Sequence, residues 1–334
     1  MQFLETLQRP FFVLAPLDDV TDTVFRRVVA SCAAPDVFFT EFVNVDGLMS
    51  PGRSKLLKKL RFTEGERPLI AQLWGLKPDN FQAVADQIAS GELARELGLP
   101  EGVNFAGIDL NMGCPEKNVV NHGACAGLMN HPELAVEIVQ AAQAGSAGRL
   151  PVSVKTRIGF TAVDLSWPAL LLKQKLNMLT IHGRTRKEMS KVPAHWDVIG
   201  QIRELRDELA PETLLVGNGD VDSRALGLEL AEQYKLDGIM IGRGVFHDPF
   251  VFSENSPWGS QAREQRIDLY RRHVQLFADT WQNGERPIPT LNKFCKIYIN
   301  NFDGAKELRE QLMSAKTTDE LLSMLADSSF TLSP

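Results

Sequence analysis

Eight short apolar runs follow one another along this chain, and each ends in polar or glycine residues. They are Phe11–Ala15, Val37–Glu41, Leu69–Trp74, Gly107–Asn111, Val152–Arg157, Met178–His182, Leu214–Asn218 and Gly238–Gly242. Runs so nearly continuous in apolar character suit strands buried on both faces of a parallel sheet. Between them stand segments with helical spacing, such as Leu134, Ile138, Val139 and Ala142, or Val198, Ile202, Leu205 and Leu209. Strand–helix alternation repeated eight times predicts an α/β fold, a (β/α)8 TIM barrel. An open doubly wound sheet is the second choice, but no G-x-G-x-x-G opens a helix here. After Asp248-Pro249 the alternation gives way to helical patterns over Ile267–Trp281, Thr290–Asn301, Ala305–Ser314 and Thr318–Leu325. The expected division is therefore a barrel domain over 1–256 and a small C-terminal helical bundle over 257–334.

Charge adds a hint about partners. The whole chain is acidic, with a formal net charge of −6, which argues against a protein that coats nucleic acid non-specifically. Between Gln261 and Lys316, however, ten Lys+Arg face seven Asp+Glu. A locally basic end on an acidic body suits a focused contact with a polyanion, or is simply a solvated helical face. Arg53, Lys55, Lys58, Lys59 and Arg61 form a second cationic cluster with the same two readings. Met1–Pro10 has no basic region leading into an apolar one, and no apolar run is long enough for a membrane span, so a cytoplasmic protein is expected. Four cysteines without C-x-x-C spacing are expected to be reduced there. No extra apolar helix is left over, which favours a monomer.

Chemistry in such barrels sits at the carboxyl ends of the strands. Those ends carry Pro16-Leu17-Asp18, Glu41, Gln72, Asp109 and Asn111, Lys155 and Arg157, His182, Asn218-Gly219-Asp220, and Gly242-Arg243. Glycines after the seventh and eighth strands let backbone N–H groups approach a phosphate, with Arg243 adding charge, or they merely make turns. Lys155 and Arg157 alternate on the fifth strand and so share one face. An unpaired buried charge costs several kcal/mol. The pair therefore needs a carboxylate or an anionic ligand, or else Lys155 forms a Schiff base. Cys114 lies beyond the fourth strand between glycine and proline, and at an ordinary pKa of about 8.5 it is mainly protonated near neutral pH. It is either a small buried hydrophobe or a general acid. His182 has no second ligand at i+2 or i+4, so no zinc site is expected.

Taken in order, the motifs resemble those of the tRNA-dihydrouridine synthases. They are Ala15-Pro16-Leu17-Asp18, Ala71-Gln72-Leu73-Trp74-Gly75, Asp109 to Pro115, Ser153-Val154-Lys155-Thr156-Arg157, His182-Gly183-Arg184-Thr185, Asn218-Gly219-Asp220 and Gly242-Arg243-Gly244. The likeness runs from Pro16 to about Leu325 and includes Phe302-Asp303-Gly304-Ala305 in the tail. It implies FMN across the barrel mouth, NADPH as hydride donor and tRNA as substrate. Pro16, Leu17, Asp18, Gln72, Lys155, His182, Asn218, Gly219, Asp220, Gly242 and Arg243 match the flavin-binding positions. Lys155 would stand near the N1/O2 edge and favour the anionic reduced ring. Asn111 and Arg157 match positions that hold the flipped uracil. The resemblance implies that hydride passes from N5 to C6 of that base and that Cys114 protonates C5 from the opposite face. The basic tail would grip the RNA backbone. Two departures stand out. Leu17 replaces the methionine common after the first proline, and Met189, Lys191 and Val192 stand where a tyrosine-glycine pair is common. The rival expectations are a flavin barrel acting on a free small molecule, of dihydroorotate or enoate type, and an RNA-binding protein with a silent enzymatic core.

Overall fold

The computed structural model describes residues 3–326. Met1, Gln2 and residues 327–334, which the expected domains include, lie outside the described residues. The described chain divides into two compact units. One holds the residues up to Thr23 together with Pro35–Gly242, and the other holds Val24–Ala34 together with the residues from Arg243 onward.

The first unit is the expected barrel. Its strands are β1 (Phe11–Leu14), β2 (Phe38–Phe39), β3 (Val43–Asn44), β4 (Leu69–Trp74), β5 (Gly107–Met112), β6 (Val152–Arg157), β7 (Met178–His182), β8 (Leu214–Asn218) and β9 (Gly238–Ile241). All neighbours pair in parallel, in the order β1-β9-β8-β7-β6-β5-β4-β2, and β3 also pairs with β4. A parallel bridge from Val13 to Val37 brings the second strand position to β1 and all but closes the ring. The second run of the sequence thus becomes two short pieces, where one strand was expected. The cause is local: Thr40 donates its hydroxyl to the Glu41 carbonyl at 2.7 Å. The same hydroxyl accepts the Gln72 N–H at 3.0 Å, taking the place of a ladder carbonyl.

Period-two alternation decides what lies inside. Phe11, Val13, Val37, Phe39, Ile70, Met178, Leu214, Val216 and Met240 share one buried cluster and mark the interior face, which the register carries across β5 and β6. Moving two residues at a time toward the carboxyl ends, that face passes from apolar side chains to Gln72, Asp109, Ser153 and Thr180. It then reaches Asn111, Lys155, Arg157, His182 and Asn218. The barrel is an apolar plug at its base and a polar cup at its mouth.

Outside the strands, the helices Pro78–Ala89 and Pro132–Ser146 pack closely. Gly145 makes this possible, because a Cβ there would lie 2.1 Å from the Gln82 carbonyl oxygen. The second unit contributes the helices Thr23–Ala33 (all but its first residue), Arg263–Thr280, Asn292–Tyr298, Ala305–Leu312 and Thr318–Ala326. Its core is aromatic. Tyr270 stacks on Tyr298 at 5.3 Å, and Phe25 meets Phe294 at 4.9 Å. His273 sits among them, its Nδ1 2.9 Å from the Tyr298 hydroxyl, and burial pushes its pKa down to about 3, so it stays neutral. Arg266 and Arg286 lie over Trp258 and Trp281 and belong to this core, so they are not exposed cations.

Gly145→Ala is expected to lower the thermal unfolding midpoint, at a cost of about 1–3 kcal/mol from forced repacking. Gly259→Ala, where an added Cβ meets nothing within 4 Å, should change stability by less than about 0.5 kcal/mol. Calorimetry on the two variants checks the contrast.

Candidate active site

Asp109 anchors the polar cup. It is fully buried, and burial raises its carboxyl to about 6 against the pull of its hydrogen-bond donors and of Lys155. Ser153 Oγ donates to its Oδ1 at 2.6 Å, and Gln72 Nε2 donates to its Oδ2 at 2.8 Å. Gln72 Oε1 in turn accepts from Asn111 Nδ2 at 3.2 Å. Asn111 Oδ1 then accepts the N–H groups of Gly113 and Cys114, at 3.1 and 3.0 Å. Each amide has one oxygen face and one nitrogen face, so the whole run has a single consistent direction. A carboxylate deep in the barrel thereby orients the turn that presents Cys114.

Arg157 grips the same turn from the other side. Its Nε donates to the Gly113 carbonyl at 2.8 Å, and its Nη1 donates to Thr185 and Met189 carbonyls at 3.1 and 2.9 Å. These carbonyls tie the loop after β5 to the loop after β7. Three of five guanidinium N–H groups are engaged in this way, and Nη2 makes no bond within the described protein. Burial first, and then neighbours, bring the Arg157 pKa down to about 10, so it remains a cation.

Lys155 differs. Among the described residues it forms no ion pair with a carboxylate at 4.0 Å or less. Asp109 stands near enough to favour the charge, yet both of its oxygens are taken by Ser153 and Gln72. Burial, with Arg157 adding repulsion, lowers the lysine to about 8. It is still mainly an ammonium at neutral pH. Beside it in register stands Thr180, fully buried, whose hydroxyl has no partner. An unpaired cation and an orphaned hydroxyl at one level of the cup are what an anionic, hydrogen-bonding ligand would satisfy. Pairing of Lys155 with a protein carboxylate, open from the sequence, is not what the fold provides.

Cys114 is half-buried at the mouth. Its pKa is lowered to about 7 by a hydrogen bond from the Cys125 thiol, against burial, with help from the Glu116 backbone and Arg157. The sequence expectation took the ordinary thiol value of about 8.5, and the fold brings Cys114 below it. Cys125 itself is fully buried and pushed well up.

His182 has a defined tautomer. Arg184 Nη1 lies 3.1 Å from its Nε2, and because a guanidinium only donates, Nε2 is the acceptor and Nδ1 carries the proton. Arg184 also pairs with Asp220, whose carboxylate accepts the Ala194 N–H at 2.9 Å. Gly219 between them has φ +133°, and a Cβ there would meet Ala194 at 2.7 Å, so only glycine fits. Asn218 Nδ2 donates to the Met240 carbonyl at 2.8 Å. A Cβ on Gly242 would make only an ordinary van der Waals contact, with Ala15 at 3.5 Å.

The structure brings Gln72, Asn111, Cys114, Lys155, Arg157, His182, Asn218 and Gly219 to the mouth of one barrel. Pro16 is buried after β1, and the Leu17 N–H is held by the Thr21 hydroxyl at 2.8 Å. Asp18 is exposed and paired with Lys59. Together with Asp19 and Glu41 it brings carboxylate oxygens within 4.8 Å of one another, while Glu41 accepts the Asp19 N–H. Arg243 is exposed and opens the second unit, as the cap of the short helix Gly244–His247. The cationic cluster between residues 53 and 61 is partly neutralised, since Arg53 binds Glu96 at 2.5 Å and Lys59 binds Asp18. Sequence reasoning passed over Cys125, which no motif or spacing marked.

Known proteins resemble this chain in fold and in sequence. A solved histamine dehydrogenase from Rhizobium sp. 4-9 superposes with a TM-score of 0.51 at 12% identity, over 79% of this chain and about half (48%) of that one, a likeness of fold. A probable tRNA-dihydrouridine synthase 2 of Bacillus subtilis is 49% identical over 328 residues, covering 97% of this chain and 96% of the relative. A probable tRNA-dihydrouridine synthase of Staphylococcus aureus is 47% identical over 326 residues, covering 97% and 94%. The family model described as dihydrouridine synthase matches residues 13–332. With nearly its whole length matched, this chain belongs to the dihydrouridine synthase family.

Proposed function

We propose that this protein reduces the C5=C6 bond of uridines in tRNA to dihydrouridine, using FMN and NADPH, with Cys114 as the general acid. The observation that carries the reading is the pairing of an uncompensated Lys155 ammonium with the Cys114 thiol at one barrel mouth, in a chain of this family. When bound, FMN supplies the hydride that adds to C6 and is recharged by NADPH.

The residues present fit such a ring and its phosphate. Lys155 offers a charge that no carboxylate pairs directly among the described residues, and Thr180 offers a hydroxyl without a partner. Gln72 and His182 have their polar atoms oriented by Asp109 and Arg184. Pro16, Leu17, Asp18, Asn218, Gly219, Asp220, Gly242 and Arg243 would complete the cradle. Asn111 keeps one amide hydrogen, and Arg157 keeps its Nη2 group, for the uracil edge. Hydride addition to C6 leaves carbanion character at C5, so a proton must arrive there. Cys114 holds that proton at Sγ, in a turn clamped by Asn111 and Arg157.

The second unit would hold the RNA. Lys293, Lys296, Lys306 and Lys316 are exposed on it. Their phosphate contacts would offset the few kcal/mol needed to unstack the target base.

Cys114→Ala should keep a yellow, flavin-loaded protein that still oxidises NADPH, while dihydrouridine in tRNA, measured by mass spectrometry, falls by about 10²–10⁴ in rate. Full reduction by this variant would remove the thiol from the chemistry, and product from free pyrimidine or enone but not from tRNA would favour the small-molecule reading. Because the donor must be protonated and its pKa is about 7, the rate of C5 protonation should fall as pH rises through about 7. Stopped-flow turnover across pH 6–9 checks the sign. Lys293→Glu with Lys296→Glu should weaken tRNA binding and reduce the slope of log affinity against log salt by about 2.

A further inference from the structure

We propose that Cys114 and Cys125 form a peroxide-oxidisable pair in which Cys114 is the attacking thiol and Cys125 resolves it to an intramolecular disulfide. The inference rests on where Cys114 stands at the barrel mouth, and does not require it to be the proton donor.

Three observations place the two sulfurs for this chemistry. The Cys114 and Cys125 side chains lie near enough for each to shift the acidity of the other, Cys114 downward and Cys125 upward. The Ala126 N–H donates to the Cys114 carbonyl at 3.3 Å, so backbone as well as side chains joins the two segments. Their exposures divide the roles, because Cys114 is partly open at the mouth while Cys125 has no exposed surface. A thiol-reactive oxidant therefore reaches Cys114 and not its partner. Cys114 has a large thiolate fraction at neutral pH, kept there by Cys125 and by the positive charge of Arg157. Low pKa, access and an adjacent resolving thiol are the three properties that make a cysteine oxidisable in a reversible way. Neither of the other two combines all three, for Cys295 is buried and Cys32, though as open as Cys114, has no lowered pKa. Burial pushes Cys32 up to about 12 and Cys295 up to about 11, with Ser31 and Tyr270 as their respective hydrogen-bond partners.

The steps balance. The Cys114 thiolate attacks one oxygen of a hydroperoxide, the O–O bond breaks, and hydroxide leaves, giving Cys114 sulfenic acid. The Cys125 sulfur then attacks the Cys114 sulfur, the S–O bond breaks, and water leaves with the thiol proton. Two thiols are oxidised to one disulfide and the peroxide is reduced to water. A dithiol reverses the change by exchange through a mixed disulfide. While the disulfide stands, Cys114 carries no proton, so oxidation would silence any acid function at this position.

The test uses the full-length protein as purified, treated with a small molar excess of hydrogen peroxide, digested without reductant and mapped by mass spectrometry. The expected result is a cross-linked Cys114–Cys125 peptide, lighter by two hydrogens than the reduced pair and lost on adding dithiothreitol. Cys125→Ser should abolish the cross-link and give dimedone labelling of Cys114 instead. Peroxide that leaves both thiols free, or that oxidises Cys114 without linking it to Cys125, would overturn the proposal. Should the serine variant fail to fold, the peptide map of the unaltered protein still decides. None of these readouts needs tRNA or turnover, so the link can form in a protein that does not reduce uridine and can be missing from one that does.

Discussion

Two positive side chains share the interior face of one strand, and the mouth of the barrel is organised around that fact. Lys155 and Arg157 cannot turn away, because the period of a strand sends both inward. An isolated buried charge would cost the fold several kcal/mol. The protein answers the two differently. Arg157 is dispersed over backbone carbonyls of the loops after β5 and β7, becoming a clamp. Lys155 feels Asp109, whose oxygens are already engaged by Ser153 and Gln72, and Cys114, but forms no direct carboxylate pair among the described residues.

Beneath that charge, Asp109 acts through distance. Its carboxylate orients Gln72, which orients Asn111, which holds the N–H groups leading into Cys114. Amides have no freedom to reverse in the middle of such a run without leaving two donors or two acceptors face to face. The position of a thiol at the surface of the cup is thus referred to a group at its floor. A charge at depth and a proton at the rim are mechanically one assembly.

Much of this was legible from residue patterns alone. Four of the eight runs, Leu69–Trp74, Val152–Arg157, Met178–His182 and Leu214–Asn218, are strands with the bounds their apolar character suggested. The second run broke in two because Thr40 offers its hydroxyl to the ladder, a side-chain substitution that hydrophobic pattern does not encode. The cationic cluster between 53 and 61 looked open from the sequence, but Glu96 and Asp18, distant in the chain, fold back onto it. Similarly, the acidity of Cys114 could not be read from its neighbours, since the group that lowers it most is Cys125, eleven positions away at the start of a 3-10 turn, where its backbone takes a left-handed φ of 52°. Long-range pairing is decided by loop geometry, and loops are where residue patterns say least.

One feature of the chain path bears on how such a protein is made. The helical unit takes one of its pieces from residues 24–34, and the rest only from Arg243 onward. Arg27 hydrogen-bonds Thr280 across 253 positions, and Phe25 packs on His273 and Phe294. On a ribosome these early residues emerge long before the partners that bury them. The apolar face of that helix, with Val24, Phe25, Val28 and Val29, therefore waits for its cover while the barrel is synthesised. The helical unit gains its full set of residues only once the last helices have emerged.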